Sequence, residues 1–159
     1  MEYHYPKKYL FIALFAVFFG LFLNFSVRSG SEVQKNSPAG NALTTILFKN
    51  TNVLAEVADT PAKEELGLSG RIELPFGKGM LFAPPTARVY GIWMKDMNFP
   101  LDIVWFDNDL KVMYIKENAA PESYPEAFVP SAPSRYVLEL PAGFIQRYGV
   151  TLGDKVIMD

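Results

Sequence analysis

Residues 89–115, VYGIWMKDMNFPLDIVWFDNDLKVMYI, constrain this chain more than any other stretch. They hold both tryptophans, Trp93 and Trp105. Two apolar runs, Val89–Met94 and Leu101–Phe106, flank the polar Lys95–Asn98. Short runs rich in Val, Ile and aromatics suit buried strands better than helices. Pro100 holds Phe99 extended and cannot donate to a ladder, so it fits the head of the second strand. Asp107–Asn108–Asp109 is turn chemistry, and Leu110–Ile115 reads as the returning strand of a hairpin, with Leu110, Val112 and Tyr114 on one face. In the Leu101–Phe106 strand both faces are apolar, which predicts an inner strand covered on both sides. Asp102 is the exception. A buried carboxylate is costly unless it is paired or hydrogen-bonded. Three readings stand: Asp102 accepts backbone N–H bonds and fixes a loop, it lines a site together with Lys95, or it is exposed.

The first 28 residues belong to a different class. Lys7 and Lys8 precede an apolar run from Tyr9 to Leu23, extended to Val27 before Arg28. With that extension the run reaches the ~17–25 residues of a membrane-spanning helix. A secretory signal has a shorter apolar region, ~7–15 residues, and a small-residue cleavage site. Ser26, beside Phe25 and Val27, does not make such a site. The expectation is an uncleaved anchor, with a cleaved signal or a buried helix as alternatives. Tyr3, Tyr5 and Tyr9 suit the headgroup zone. A short charged head before an apolar run places the N-terminus inside and the rest of the chain on the extracytoplasmic side, or secreted if the leader is removed. Residues 29–41, SGSEVQKNSPAGN, form a flexible tether. Residues 42–159 are then one globular domain.

Within that domain, Thr44–Phe48 and Val53–Val57 read as strands around a turn. Thr60–Pro61 starts a short helix, with Glu64 and Glu65 near its positive end, and Leu66 and Leu68 are expected to pack inward. Met80–Ala83 is a strand. Residues 118–133 are a long Pro/Ala/Glu-rich connection whose aromatics suggest that it packs down. Ser134–Leu140 is a strand with Tyr136, Leu138 and Leu140 opposing Arg135, Val137 and Glu139. Pro141 is read as opening a second helix that Gly149 ends, and Lys155–Met158 is a last strand.

Three ordered blocks, GLSGRIELPFGKGMLF, IWMKDMNFPLDIVWFD and RYVLELPAGFIQRYGVTLGDKV, resemble the signatures of the DUF192 (UPF0127) family, a domain of unknown function. The matching positions are Gly67, Leu68, Arg71, Gly79, Met80, Trp93, Met94, Lys95, Pro100, Leu101, Asp102, Glu139, Pro141, Gly143 and Gly153. The chain departs from the pattern at Ser69, where many relatives have Met, and by lacking a cysteine in residues 118–133. The resemblance implies a compact, strand-rich α+β fold. Together with the elements above, it gives a barrel-like or strongly bent mixed or antiparallel sheet with two short helices, preceded by a single transmembrane or signal helix.

Composition removes many chemistries. There is no cysteine, and the one histidine, His4, precedes the apolar leader. The domain can therefore form no disulfide, no Ser-His-Asp or Cys-His site and no typical zinc site. Residues 36–159 hold 11 Lys/Arg and 15 Asp/Glu, a balance ill suited to phosphate backbones, so nucleic acid is not an expected partner. Gly77–Lys78–Gly79 lacks the rest of a phosphate loop, and Asp107–Asp109 lacks the glycine and terminal Glu of a calcium loop. A serine activated by Lys95, from Ser69, Ser131 or Ser134, is a weak alternative. No cofactor is implied.

What remains is a set of candidate ligand-binding residues: Lys95, Asp102, Arg71, Arg135, Glu139 and Trp93. Arg71, Lys95 and Arg135 suit an anionic or polyhydroxylated ligand, unless each pairs structurally with Glu139, Asp102 or Glu73. Trp93, Met94, Met97 and Phe99 wall a groove or belong to the core. The leading reading is a membrane-tethered extracytoplasmic domain that binds a small polar ligand or a protein partner of the envelope. The alternatives are a carboxylate-dependent enzyme acting on envelope carbohydrate through Asp96, Asp102 or Glu139, and a scaffold module with an apolar patch around Tyr124–Phe128.

Overall fold

The structure is a computed structural model and describes residues 42–159. The expected anchor and tether lie outside the described residues. Among the described residues no helix is long and apolar enough to cross a membrane.

The domain begins with an antiparallel hairpin of β1 (Leu43–Phe48) and β2 (Thr51–Ala58). Thr60 then caps α1 (Pro61–Leu66), its hydroxyl accepting from Lys63 N at 3.4 Å. The helix buries none of its own residues. Leu68 is buried as expected, whereas Leu66 is 63% exposed; a six-residue helix lying on the surface has too few turns to aim both leucines inward. β3 (Lys78–Phe82) returns parallel to β2. Gly79 is required there, because a Cβ would meet Glu139 O at 2.9 Å.

β4 (Ile92–Trp93), β5 (Leu101–Phe106) and β6 (Val112–Ala119) follow, then a 3₁₀ turn (Pro121–Ser123) and β7 (Ala127–Phe128). β8 (Tyr136–Pro141), α2 (Phe144–Tyr148) and β9 (Ile157–Met158) complete the chain. The main sheet has seven strands in the order β6-β5-β8-β3-β2-β1-β9, and β4 pairs with β7 in a separate ribbon.

The sheet curls into a half-barrel whose edges the C-terminal segment bridges. Val112 N donates to Asp154 O at 2.8 Å and Val156 N to Leu110 O at 3.0 Å on one side, while β9 pairs with β1 on the other. Residues from both edges, Ile46, Val112 and Val156, therefore share one core on the concave face with Phe48, Val104, Phe106 and Phe144. Phe48 packs edge-on against Phe144 at 5.6 Å. A second core covers the other face. It joins Met80, Phe82, Leu101, Ile103 and Trp105 to Tyr90, Ile92, Met94 and Phe128 of the flanking ribbon. Trp105 lies at its centre and donates its indole N–H to Tyr90 O at 2.7 Å.

β5 is wholly buried with neighbours on both sides, as its two apolar faces predict. Three local expectations change. Val89–Met94 is a one-faced flap rather than a long strand: Tyr90, Ile92 and Met94 are buried, while Val89, Gly91 and Trp93 are exposed. In β6, Val112 opposes Phe106 but Tyr114 opposes Trp105, so the two do not share a face. A bulge between those pairs flips the parity. Pro141 ends β8 instead of opening α2, because the helix starts only after Gly143 turns the chain at φ 84°.

Asp102 is 1% exposed and is satisfied by backbone. Its Oδ1 accepts from Asn118 N and its Oδ2 from Ile145 N, both at 2.8 Å. The carboxylate ties β5 to the end of β6 and to the first turn of α2. Asp102→Ala leaves two amides without their acceptor, at about 1–3 kcal/mol each. We expect a loss of roughly 2–5 kcal/mol in urea unfolding, with Asp102→Asn intermediate. Lys95→Ala changes the midpoint little, because no Lys95 contact holds Asp102.

Candidate functional site

A cleft of about 590 Å³ opens between α1, the segment before β4 and the sheet. Glu64 and Leu66 come from the helix, Tyr90 and Trp93 from the flap, and Phe82 and Glu139 from the sheet. The loop at Lys95–Asn98 holds the helix side in place. Ser69 donates its hydroxyl to Lys95 O at 2.9 Å, Gly70 N donates to Asp96 O at 2.8 Å, and Asn98 Nδ2 donates to Arg71 O at 2.7 Å.

Strand parity explains Glu139. β8 lies between β3 and β5, with Glu139 opposite Met80 and Ile103. The same rung continues to Glu56 on β2 and Lys116 on β6. Asp102 opposes Leu140, one position away, and so projects from the other face of the sheet. Glu139 is 5% exposed and its Oε2 has no hydrogen-bond partner among the described residues. Burial pushes its pKa up to about 8, with the nearby Arg71 guanidinium pulling the other way. Arg71 is itself committed to Glu56 through a two-pronged pair at 2.6 and 2.8 Å, which holds the arginine pKa above its ordinary value.

The flap side carries a second charged group. Arg88 pairs with Glu64 at 2.6 Å and lies 4.3 Å over the Tyr90 ring. Burial, then the Glu64 carboxylate, raises the Tyr90 hydroxyl to about 12, so it stays protonated. Trp93 is 48% exposed and meets Tyr124 edge-on at 5.9 Å.

Of the six residues singled out in the sequence, Trp93 and Glu139 line the cleft. Arg71 stands beside Glu139, its fork on Glu56 rather than on Glu73 or Glu139. Lys95 is exposed, with its ammonium 6.0 Å from the Trp93 ring. Arg135 donates to Pro84 O and stacks on Tyr136 at 4.4 Å. Asp102 belongs to the opposite core. Arg71, Lys95 and Arg135 thus have separate partners and do not line this cleft. Sequence reasoning passed over Glu64 and Tyr90. Tyr90 carries a usable signal, since it alternates with Ile92 and Met94; Glu64 reads as ordinary helix-end charge.

A carboxyl held neutral by the fold makes stability depend on pH. Between the ordinary carboxyl value of 4.5 and about 8, the folded chain holds a proton at Glu139 that the unfolded chain has released. Stability therefore falls as pH rises through that window. Glu139→Gln removes this slope. Chemical denaturation from pH 4 to 9 is expected to show the variant gaining on the parent between pH 4.5 and about 8 and holding the gain above it, on the order of 5 kcal/mol.

Comparison with known proteins places this geometry among relatives. Residues 44–158 match the model of DUF192, described as an uncharacterized ACR family. A crystal structure of a Sinorhizobium meliloti protein, described as a candidate transcription regulator, is 31% identical with TM-score 0.70, over 75% of this chain and 95% of that one. A Novosphingobium aromaticivorans protein of unknown function is 31% identical with TM-score 0.66, over 74% and 84%. Curated protein sequences give no match. The chain belongs to the DUF192 family.

Proposed function

We propose that this chain is a membrane-tethered, extracytoplasmic binding domain whose cleft beside Glu139 takes a small polar ligand. One observation carries the reading: a buried carboxyl oxygen without a partner borders a cleft large enough for a small molecule. Pockets that orient ligands combine apolar walls with a few such polar groups. The half-exposed Trp93 and the exposed Leu66 supply the walls. The tether rests on the apolar run Tyr9–Val27 behind Lys7 and Lys8.

The carboxylate-enzyme reading needs two acids within about 5–10 Å across one cleft. Asp102 and Glu139 project from opposite faces, and Asp102 has a backbone donor on each oxygen. A scaffold surface at Tyr124–Phe128 is weakened because Phe128 is buried and Tyr124 leans on Trp93. Transcription regulation, the role in the Sinorhizobium relative's description, would fit poorly if exerted through DNA, since the domain is acidic and its α-helices are six and five residues long.

A library of sugars, amino acids, amines and short polar metabolites, screened against the full chain by thermal shift, tests the reading. Ligands of the cleft should raise the melting temperature by a few degrees. Trp93→Ala and Glu139→Gln should each remove most of that shift. Shifts indifferent to both substitutions overturn the assignment. A reporter fused after Asp159 should be active only outside the cytoplasm.

A further inference from the structure

We infer that the cleft recognises a cation, an ammonium or guanidinium group on a short apolar body, with Glu139 as its counter-ion and Trp93 as its aromatic wall. This deepens the polar-ligand reading and rests on it.

Among the described residues, Glu139 Oε2 is a buried oxygen with no hydrogen-bond partner. The nearby cations are engaged elsewhere. Arg71 is held by Glu56, Arg88 by Glu64 and the Tyr90 ring, and Lys116 lies 4.5 Å over Phe128. A ligand in the cleft can supply the partner that the described residues do not.

Charge then selects among donors. Glu64 and Glu65 line the cleft against one cation, Arg88. An anionic ligand meets an acidic lip and disfavours ionisation of Glu139; a cationic ligand meets complementary charge at the lip, and at Glu139 once that carboxyl releases its proton. The walls agree. Cations sit favourably over Trp and Tyr faces within ~6 Å, and the protein already places Arg88 over Tyr90. Lys95 lies 6.0 Å from Trp93, at the limit of that range, and Trp93 remains half-exposed. Leu66 and Val89, both exposed on the lip, suit an apolar body.

Binding of this kind is linked to a proton. Arg71, from the loop after α1, is the charge that acts on Glu139; Glu64 and Glu65 of the helix and Arg88 and Tyr90 of the flap line the same cleft. On the rung of Glu139 stand Glu56 and Lys116. In that setting it is neutral at pH 7. A cation beside it favours the charged form, so the ligand enters, one proton leaves to solvent, and the net charge of the cleft is unchanged. Affinity should therefore rise about tenfold per pH unit below the carboxyl's pKa and level off above about 8.

Butylguanidinium and the neutral isostere butylurea form the test pair, titrated calorimetrically into the full chain at pH 6, 7, 8 and 9. The expected result is binding of butylguanidinium alone, tightening about tenfold per unit up to pH 8. Two buffers of different ionisation heat at pH 6 should report release of close to one proton. Glu139→Gln should flatten the pH dependence. Trp93→Ala should weaken binding several-fold but leave that dependence intact. Equal binding of both probes without proton release overturns the cation assignment and leaves a polar-ligand cleft. Binding of neither probe also overturns it, and the library screen then decides whether the cleft reading itself survives.

Discussion

The pairing of β8 with β5 fixes both buried carboxylates of this domain. Asp102 opposes Leu140 and Glu139 opposes Ile103, so strand alternation sends one acid to each face of the same sheet. A shift of one residue would exchange them. Asp102 would then face the flanking ribbon, and Glu139 would point at α2. The apolar residues around them forbid that slip, since Val104, Phe106, Leu138 and Leu140 fill the concave core while Ile103, Trp105 and Val137 fill the other. Packing thus decides electrostatics here.

The two acids then meet opposite fates. Asp102 finds amide donors where β6 ends and where α2 begins, and the first turn of a helix has N–H groups to spare. Its burial becomes a tie between three elements. Glu139 finds only a guanidinium already gripped by Glu56. A shared arginine moderates the cost of burying a second acid without cancelling it, and so Glu139 stays protonated at neutral pH rather than charged.

How far this was readable from sequence depends on whether a feature is local or paired. The strands, the capped helix and the two-faced burial of β5 follow from alternation and from residues such as Thr60, Pro61 and Gly149. That Asp102 is backbone-satisfied was one of the readings its position allowed. The misreadings arise where distant segments meet. The bulge opposite Trp105–Phe106 depends on β6 meeting both β5 and the C-terminal segment. Leu66 is exposed because, among the described residues, nothing packs over its side of α1. The arginine partners Glu56 and Glu64 are separated from Arg71 and Arg88 by 15 and 24 positions, and no periodicity announces such pairs. Trp93 and Glu139 were legible as unusual residues, but their meeting in one cleft needs the crossover from β2 to β3, which puts α1 opposite the flap.

An unserved buried acid is also informative about selection. Gln at position 139 would occupy nearly the same volume and avoid the ionisation cost above neutral pH, and Leu or Met would suit its direct rung neighbours, Met80 and Ile103. Stability alone therefore gives no reason for Glu there. Asp102 differs, since each of its oxygens holds an amide and the carboxylate serves the fold. The acid that weakens the fold is the one that borders the cleft, which a half-exposed tryptophan also lines. A residue that costs folding free energy and borders a cleft is one whose identity stability does not explain.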